Sequence, residues 1–230
     1  MHCEMLESRQ LRSFTVLGVG TTLEVTGTSA GEQIIIEENN GVLEVDTNPW
    51  APGGLGPDLF FFSASFTRIE VEGEQGDDDI TFLGPATEAI WVDGGDDDDN
   101  IYISCGGDDT VYGSAGDDHI MTFGGADWVD GERGNDTIHG ERGRDTLYGH
   151  DGDDDIYGED QNDVIEGGNG EDYIEGGYGD DTLEGNSNDD TLWGGPGNDD
   201  LEGGWGADFI RGEGGDDTAS GGLGNDDVLD

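Results

Sequence analysis

Basic residues are nearly missing from this chain, and their scarcity narrows its chemistry first. Of 230 residues only 7 are lysine or arginine, against 57 aspartates and glutamates, for a formal charge of −50. Such a polyanion repels nucleic acid and anionic lipid, so neither is expected as a partner. The only cysteines, Cys3 and Cys105, are too few for a disulfide framework. Four histidines are scattered, and none pairs with another around a glutamate as in a zinc protease. No apolar run approaches a membrane span. A basic start followed by an apolar core is also missing, so no ordinary signal peptide is expected. By composition alone, with 45 glycines and so much charge, the chain would suit a disordered acidic polymer.

The order of the residues argues against that. Residues 104–229 repeat one nine-residue phrase fourteen times. Its sixth place is always aspartate: Asp109, Asp118, Asp127, Asp136, Asp145, Asp154, Asp163, Asp172, Asp181, Asp190, Asp199, Asp208, Asp217 and Asp226. Its eighth place is apolar, from Val111, Ile120 and Val129 through to Ile210, Ala219 and Val228. Glycine fills the first place in twelve copies and the fourth in twelve. These pairs include Gly131 and Gly134, Gly140 and Gly143, Gly149 and Gly152, Gly167 and Gly170, and Gly176 and Gly179. They continue with Gly194 and Gly197, Gly203 and Gly206, Gly212 and Gly215, and Gly221 and Gly224. A solvating tail needs no such phase, and a period this regular decides the fold.

Upstream the texture changes. Residues 1–14 are polar and expected to be flexible; Leu6-Glu7-Ser8-Arg9-Gln10-Leu11 is weakly similar to a short motif near the start of some exported bacterial proteins. Residues 15–93 carry short alternating runs such as Leu23-Glu24-Val25, Val42-Leu43-Glu44-Val45 and Arg68-Ile69-Glu70-Val71, which predict strands with one buried face. Worn copies of the phrase lie here too, around Glu32 and Ile34 and around Asp78 and Ile80, and Asp99 with Ile101 fits it one residue out of step. Residues 15–93 are therefore expected to be an irregular β region with degenerate repeats, continuous with a regular array over 94–230. Pro49, Pro52 and Pro57 mark a longer excursion.

Read as six loop residues and a three-residue strand, each phrase turns its eighth side chain inward and its seventh and ninth outward. Two phrases make one eighteen-residue coil of an all-β parallel β-roll (a β-helix or solenoid), its coils stacked about 4.8 Å apart. Such a core is thin. One buried aliphatic side chain per repeat gains about 1.5–3 kcal/mol, less than the conformational entropy of nine residues rich in glycine. Like charges worsen matters, because Glu166, Glu184 and Glu202 would stack on one another. A hard divalent cation would make up the difference, since calcium takes six to eight oxygens from carboxylates and main-chain carbonyls. Glycines at the first, second and fourth places are expected to take positive φ and turn carbonyls toward the ion. The aspartates fall in two ladders, and six gaps in each set a ceiling of about 12 calcium ions.

The phrase resembles the RTX, or haemolysin-type, calcium-binding nonapeptide repeat, strictly over residues 104–229 and loosely from residue 73. The resemblance implies a calcium-filled β-roll, export from bacteria and folding outside the cell. It carries the ligand role to the fourteen aspartates and their loop glycines, and by the worn copies to Asp78 and Asp99. Gln161 and Asn188 replace the fourth-place glycine, and Ser104 and Thr122 the first, so those four loops are expected to bind more weakly. The secretion segment usual after such repeats is not evident.

Other motifs weigh less. Gly27-Thr28-Ser29-Ala30-Gly31 spells a nucleophile elbow, but strand-like residues follow where a helix is needed. Cys105 is expected to be a tolerated small side chain at a second place. Tyr148, Tyr157 and Trp193 lie on predicted outward faces and offer a surface to a glycan or cell-surface partner, although sheet formation is the preferred reading. The function expected is non-enzymatic: a secreted, extracellular module folded by Ca2+, structural, adhesive or secretion-assisting. The competing reading makes residues 15–93 an enzymatic or ligand-binding domain with the repeats as its export tail. That stretch holds no histidine, which argues against common hydrolytic chemistry.

Overall fold

The computed structural model describes residues 15–19, 22–26, 33–39, 42–46, 59–62, 68–84 and 89–229. The N-terminal segment, the elbow-like stretch at 27–31 and the proline-marked excursion lie outside these. Every described element is a strand or a turn. The N-terminal strands are β1 (Thr15–Val19), β2 (Thr22–Thr26), β3 (Gln33–Asn39), β4 (Val42–Asp46), β5 (Leu59–Phe62), β6 (Arg68–Glu72), β7 (Asp79–Leu83) and β8 (Ala89–Asp96). Next come β9 (Asn100–Cys105), β10 (Thr110–Ala115), β11 (His119–Gly125), β12 (Trp128–Arg133), β13 (Thr137–His139), β14 (Arg142–Gly143), β15 (Thr146–Asp151) and β16 (Asp155–Asp160). The rest are β17 (Val164–Asn169), β18 (Tyr173–Tyr178), β19 (Thr182–Ser187), β20 (Thr191–Pro196), β21 (Asp200–Trp205), β22 (Phe209–Gly214), β23 (Thr218–Leu223) and β24 (Asp227–Leu229).

From β6 onward successive strands alternate between two sheets, except that β13 and β14 share one. One runs β1-β2-β6-β8-β10-β12-β15-β17-β19-β21-β23, and the other runs from β24 back through β22, β20, β18, β16, β13, β11, β9 and β7 to β3-β4-β5. Pairing is parallel along the roll, with Ile138 beside Ile156 and Leu147 beside Ile165, eighteen residues apart. Among the described residues antiparallel pairs occur only at the N-terminal end, in β1 with β2, β3 with β4 and β4 with β5. This is the all-β parallel roll that the period predicts, and β6–β8 belong to the same two sheets as the strict repeats.

The eighth-place side chains form its axis: Val111, Ile120, Val129, Ile138, Leu147 and Ile156 are fully buried. The seventh and ninth places face out, and the expected stacking of Glu166, Glu184 and Glu202 is observed. Tyr148, Tyr157 and Trp193 are outward but lean on neighbouring rings, at 5.7 Å from Trp128, 5.8 Å from Tyr173 and 6.1 Å from Phe209. Strand length corrects the sequence reading. Most strands of the strict repeats have six residues, not three, because the ladder continues through places one to three of the following phrase. Only places four to six turn the chain. The second place makes the continuation possible by adopting a left-handed backbone, even for Glu132 (φ 68), His150 (φ 73) and Glu159 (φ 79).

Candidate metal centre

Each coil has two corners. The first leads from the 11-stranded sheet to the 13-stranded one and carries Asp78, Asp99, Asp118, Asp136, Asp154, Asp172, Asp190, Asp208 and Asp226. The second leads back and carries Asp109, Asp127, Asp145, Asp163, Asp181, Asp199 and Asp217. The structure therefore brings all sixteen aspartates singled out from the sequence into two columns. Fourteen of them, all but Asp217 and Asp226, are no more than 2% exposed.

Their two oxygens differ. In each column the amide N–H of one aspartate donates to Oδ1 of the aspartate one coil further on, as in Asp109 to Asp127 at 2.8 Å and Asp136 to Asp154 at 2.7 Å. Oδ2 of Asp99, Asp118, Asp127, Asp136, Asp145, Asp154, Asp163, Asp172, Asp181, Asp190, Asp199 and Asp208 is buried and accepts no hydrogen bond. Twelve carboxylate oxygens out of water without a donor would be costly if left so.

Electrostatics follow from that burial. Desolvation is the largest cause of every shift, opposed by the amide bond and reinforced by nearby carboxylates. It drives Asp118, Asp127 and Asp163 up to about 8, and Asp99, Asp109, Asp136, Asp172 and Asp190 up to about 7. Asp145, Asp154 and Asp181 rise to about 6. As arranged, the columns hold protons or need cations.

The loop glycines have roles that spacing did not reveal. A Cβ on first-place Gly131, Gly140, Gly149, Gly167, Gly176, Gly194, Gly203, Gly212 or Gly221 would overlap Oδ2 of the aspartate in the same loop. Beside Gly131 the Gly149 carbonyl oxygen is 3.1 Å from the same point, and beside Gly113 the Gly131 carbonyl is 2.9 Å away. Glycine is thus needed here for space, not for positive φ as expected, and the space is bordered by oxygens. At the fourth place, a Cβ on Gly134, Gly143, Gly152, Gly170, Gly179, Gly197, Gly206, Gly215 or Gly224 would overlap a main-chain carbonyl of the preceding coil.

Two features were missed from sequence. The fifth place builds a ladder opposite in direction to the sixth: Asn135 N–H donates back to Asp117 Oδ1 at 2.8 Å, and Asp153 N–H to Asn135 Oδ1 at 2.9 Å. Its signal was the Asp and Asn enrichment at that place. Cys105 is also more than a tolerated small side chain. It is buried, and its thiol lies 3.7 Å from Asp109 Oδ2 as a donor.

The donor set fits an oxygen-seeking cation. Among the described residues no three histidine, cysteine or acidic side chains converge, so the remaining ligands of an ion would be main-chain carbonyls. A space bordered by a donor-free carboxylate oxygen and carbonyls has the chemistry calcium prefers and zinc does not.

Fold and columns together define a parallel β-roll with acid-lined loops, a structural calcium-binding architecture. Four copies of the family model for the RTX calcium-binding nonapeptide repeat match at residues 106–138, 130–165, 166–201 and 202–229. They span more than half of the 230 residues, and the chain belongs to that family. No curated protein matches it. Among the described residues no helix is long and apolar enough to cross a membrane.

Proposed function

We propose that this chain is a calcium-folded module that works outside the bacterial cell, in a structural, adhesive or secretion-assisting role rather than as an enzyme. The observation that carries this is the set of twelve buried Oδ2 atoms with no donor, arranged in two columns. Bound there, calcium supplies positive charge between coils that otherwise repel. The sixth-place aspartates would hold it through Oδ2, and the first-place glycine carbonyls of the adjoining coil would complete the cradle. Asp99, with Gly94 beside its Oδ2, extends these positions upstream of the matched repeats. Oδ1 is already engaged by an amide, so each carboxylate is held in direction before an ion arrives.

Location follows from affinity. Carbonyl-rich sites in extracellular modules work at about 0.1–1 mM calcium, so the chain would stay open inside a cell and close outside it. Far-ultraviolet circular dichroism during a calcium titration tests the reading, with magnesium as control. A cooperative gain of β-signal with calcium, and little with magnesium, is the expected result. An identical β-signal in excess chelator at neutral pH would reject calcium-driven folding.

A further inference from the structure

The two corners of the roll are not alike along their length. The first pairs glycine with aspartate throughout, from Gly94 with Asp99 to Gly221 with Asp226. The second does so only from Gly140 with Asp145 onward. N-terminal to that, its residues change type. Ile90 occupies the position of a sixth-place aspartate, for its N–H donates to Asp109 Oδ1 at 2.8 Å just as an aspartate N–H does elsewhere. Ile69 pairs with Ile90 one coil earlier. On the other strand entering the same corner, Phe82 pairs with Ile103, which is the residue just ahead of first-place Ser104. All four are buried in the one apolar cluster.

Between the apolar and the acidic stretches lie two transitional coils. In one, Cys105 offers its thiol to Asp109. In the next, Thr122 is fully buried, with Oγ1 at 3.4 Å from the Gly140 carbonyl oxygen. Each coil thus replaces part of the cation cradle with a side chain of the protein. The consequence for packing is direct. Strands β6, β7, β8 and β9 each bury two large apolar side chains, Ile69 and Val71, Ile80 and Phe82, Ile90 and Val92, Ile101 and Ile103. Strands β15 to β22 each bury one. A second buried aliphatic side chain adds about 1.5–3 kcal/mol per strand, in a segment with fewer glycines to order.

We infer that β6–β9, although their first corner keeps the column positions Asp78 and Asp99, form a nucleus that holds without cations because its second corner is apolar, and that the calcium-dependent coils stack on it. This rests on the proposed calcium-driven folding of the later coils. The open edges of β8 and β9 in such a nucleus would template β10 and β11 in the correct register, and each added coil would extend the edge for the next.

Hydrogen–deuterium exchange of the full chain, read by mass spectrometry in calcium and in excess chelator at about pH 8, tests this. In chelator, amides of residues 68–84 and 89–105 are expected to exchange at least about 100-fold more slowly than in the unfolded chain, while residues 140–229 exchange at the unfolded rate. Equal, unprotected exchange along the chain in chelator would overturn the nucleus and leave calcium-driven folding standing. Equal, strong protection in chelator would overturn both. A second measurement needs no core substitution. In Cys3→Ser, Cys105 should react with a maleimide at least about 100-fold more slowly in chelator than in urea; equal rates would contradict the nucleus. Phe82→Ala should abolish the protection in chelator yet leave that of residues 140–229 in calcium; protection that survives in chelator would count against the apolar corner as its cause.

Discussion

The amide of Asp136 donates to Oδ1 of Asp154 at 2.7 Å, while Oδ2 of the same carboxylate has no partner. One side chain is thus used twice, to stitch two coils and to face a cation cradle. The two uses can be separated. Asp154→Asn keeps an acceptor for the amide and loses the charge, so the calcium midpoint of folding should move to higher concentration. Asp154→Ala also strands the Asp136 N–H, which costs a further 1–3 kcal/mol or so. Thermal unfolding of both variants at saturating calcium checks the order, with the alanine variant melting lower.

Gly131 and Gly106 make a second contrast. A Cβ at Gly131 would overlap Asp136 Oδ2, whereas at Gly106 its nearest neighbour would be the Gly124 carbonyl oxygen at 3.7 Å. Gly131→Ala should lose about 1–3 kcal/mol by overpacking a rigid corner. Gly106→Ala should stay within about 0.5 kcal/mol of the parent. Chemical unfolding in calcium measures both.

The fifth-place ladder predicts a gain. Asp117, Asn135 and Asp153 each accept the amide of the coil that follows, but Ala126 has no acceptor to offer residue 144. Ala126→Asn supplies one without adding charge. It should stabilise the calcium-bound roll by about 0.5–1.5 kcal/mol, read as a higher melting temperature.

Acid should replace calcium in part. Eleven column carboxyls, those from Asp99 to Asp190, have folded values of about 6 to 8 against an ordinary 3.8, so the metal-free roll binds protons that the open chain releases. Their contribution is full below about pH 4 and is lost as the pH rises through about 6 to 8. In chelator, the β-signal is therefore expected near pH 4 and largely gone by about pH 8 in the later coils. In calcium it should persist at about pH 8, because ions and protons compete for the same oxygens. A chelated β-signal that grows with rising pH would be the wrong sign.

The period made the columns and the axis legible, since residues eighteen apart such as Asp136 and Asp154, or Ile138 and Ile156, had to be equivalent. It could not say what each equivalent residue touches. The crowding of Gly131 by Asp136, the reversed ladder through Asn135 and the left-handed backbone at Glu132 depend on three-dimensional closeness within the corner. The apolar corner was hidden for another reason. Ile69 and Ile90 hold sixth-place positions with the wrong side chain, and Ile103, which pairs with Phe82, is an extra residue ahead of first-place Ser104, so alignment on aspartate and glycine passed over them.

The most direct test of the account is a crystal grown in calcium with anomalous scattering recorded from the bound ions. A row of peaks along each corner beside Oδ2 of residues such as Asp136, Asp154 and Asp145 is the predicted result. Columns without peaks, with calcium only on surface carboxylates such as Glu166, Glu184 and Glu202, would contradict it.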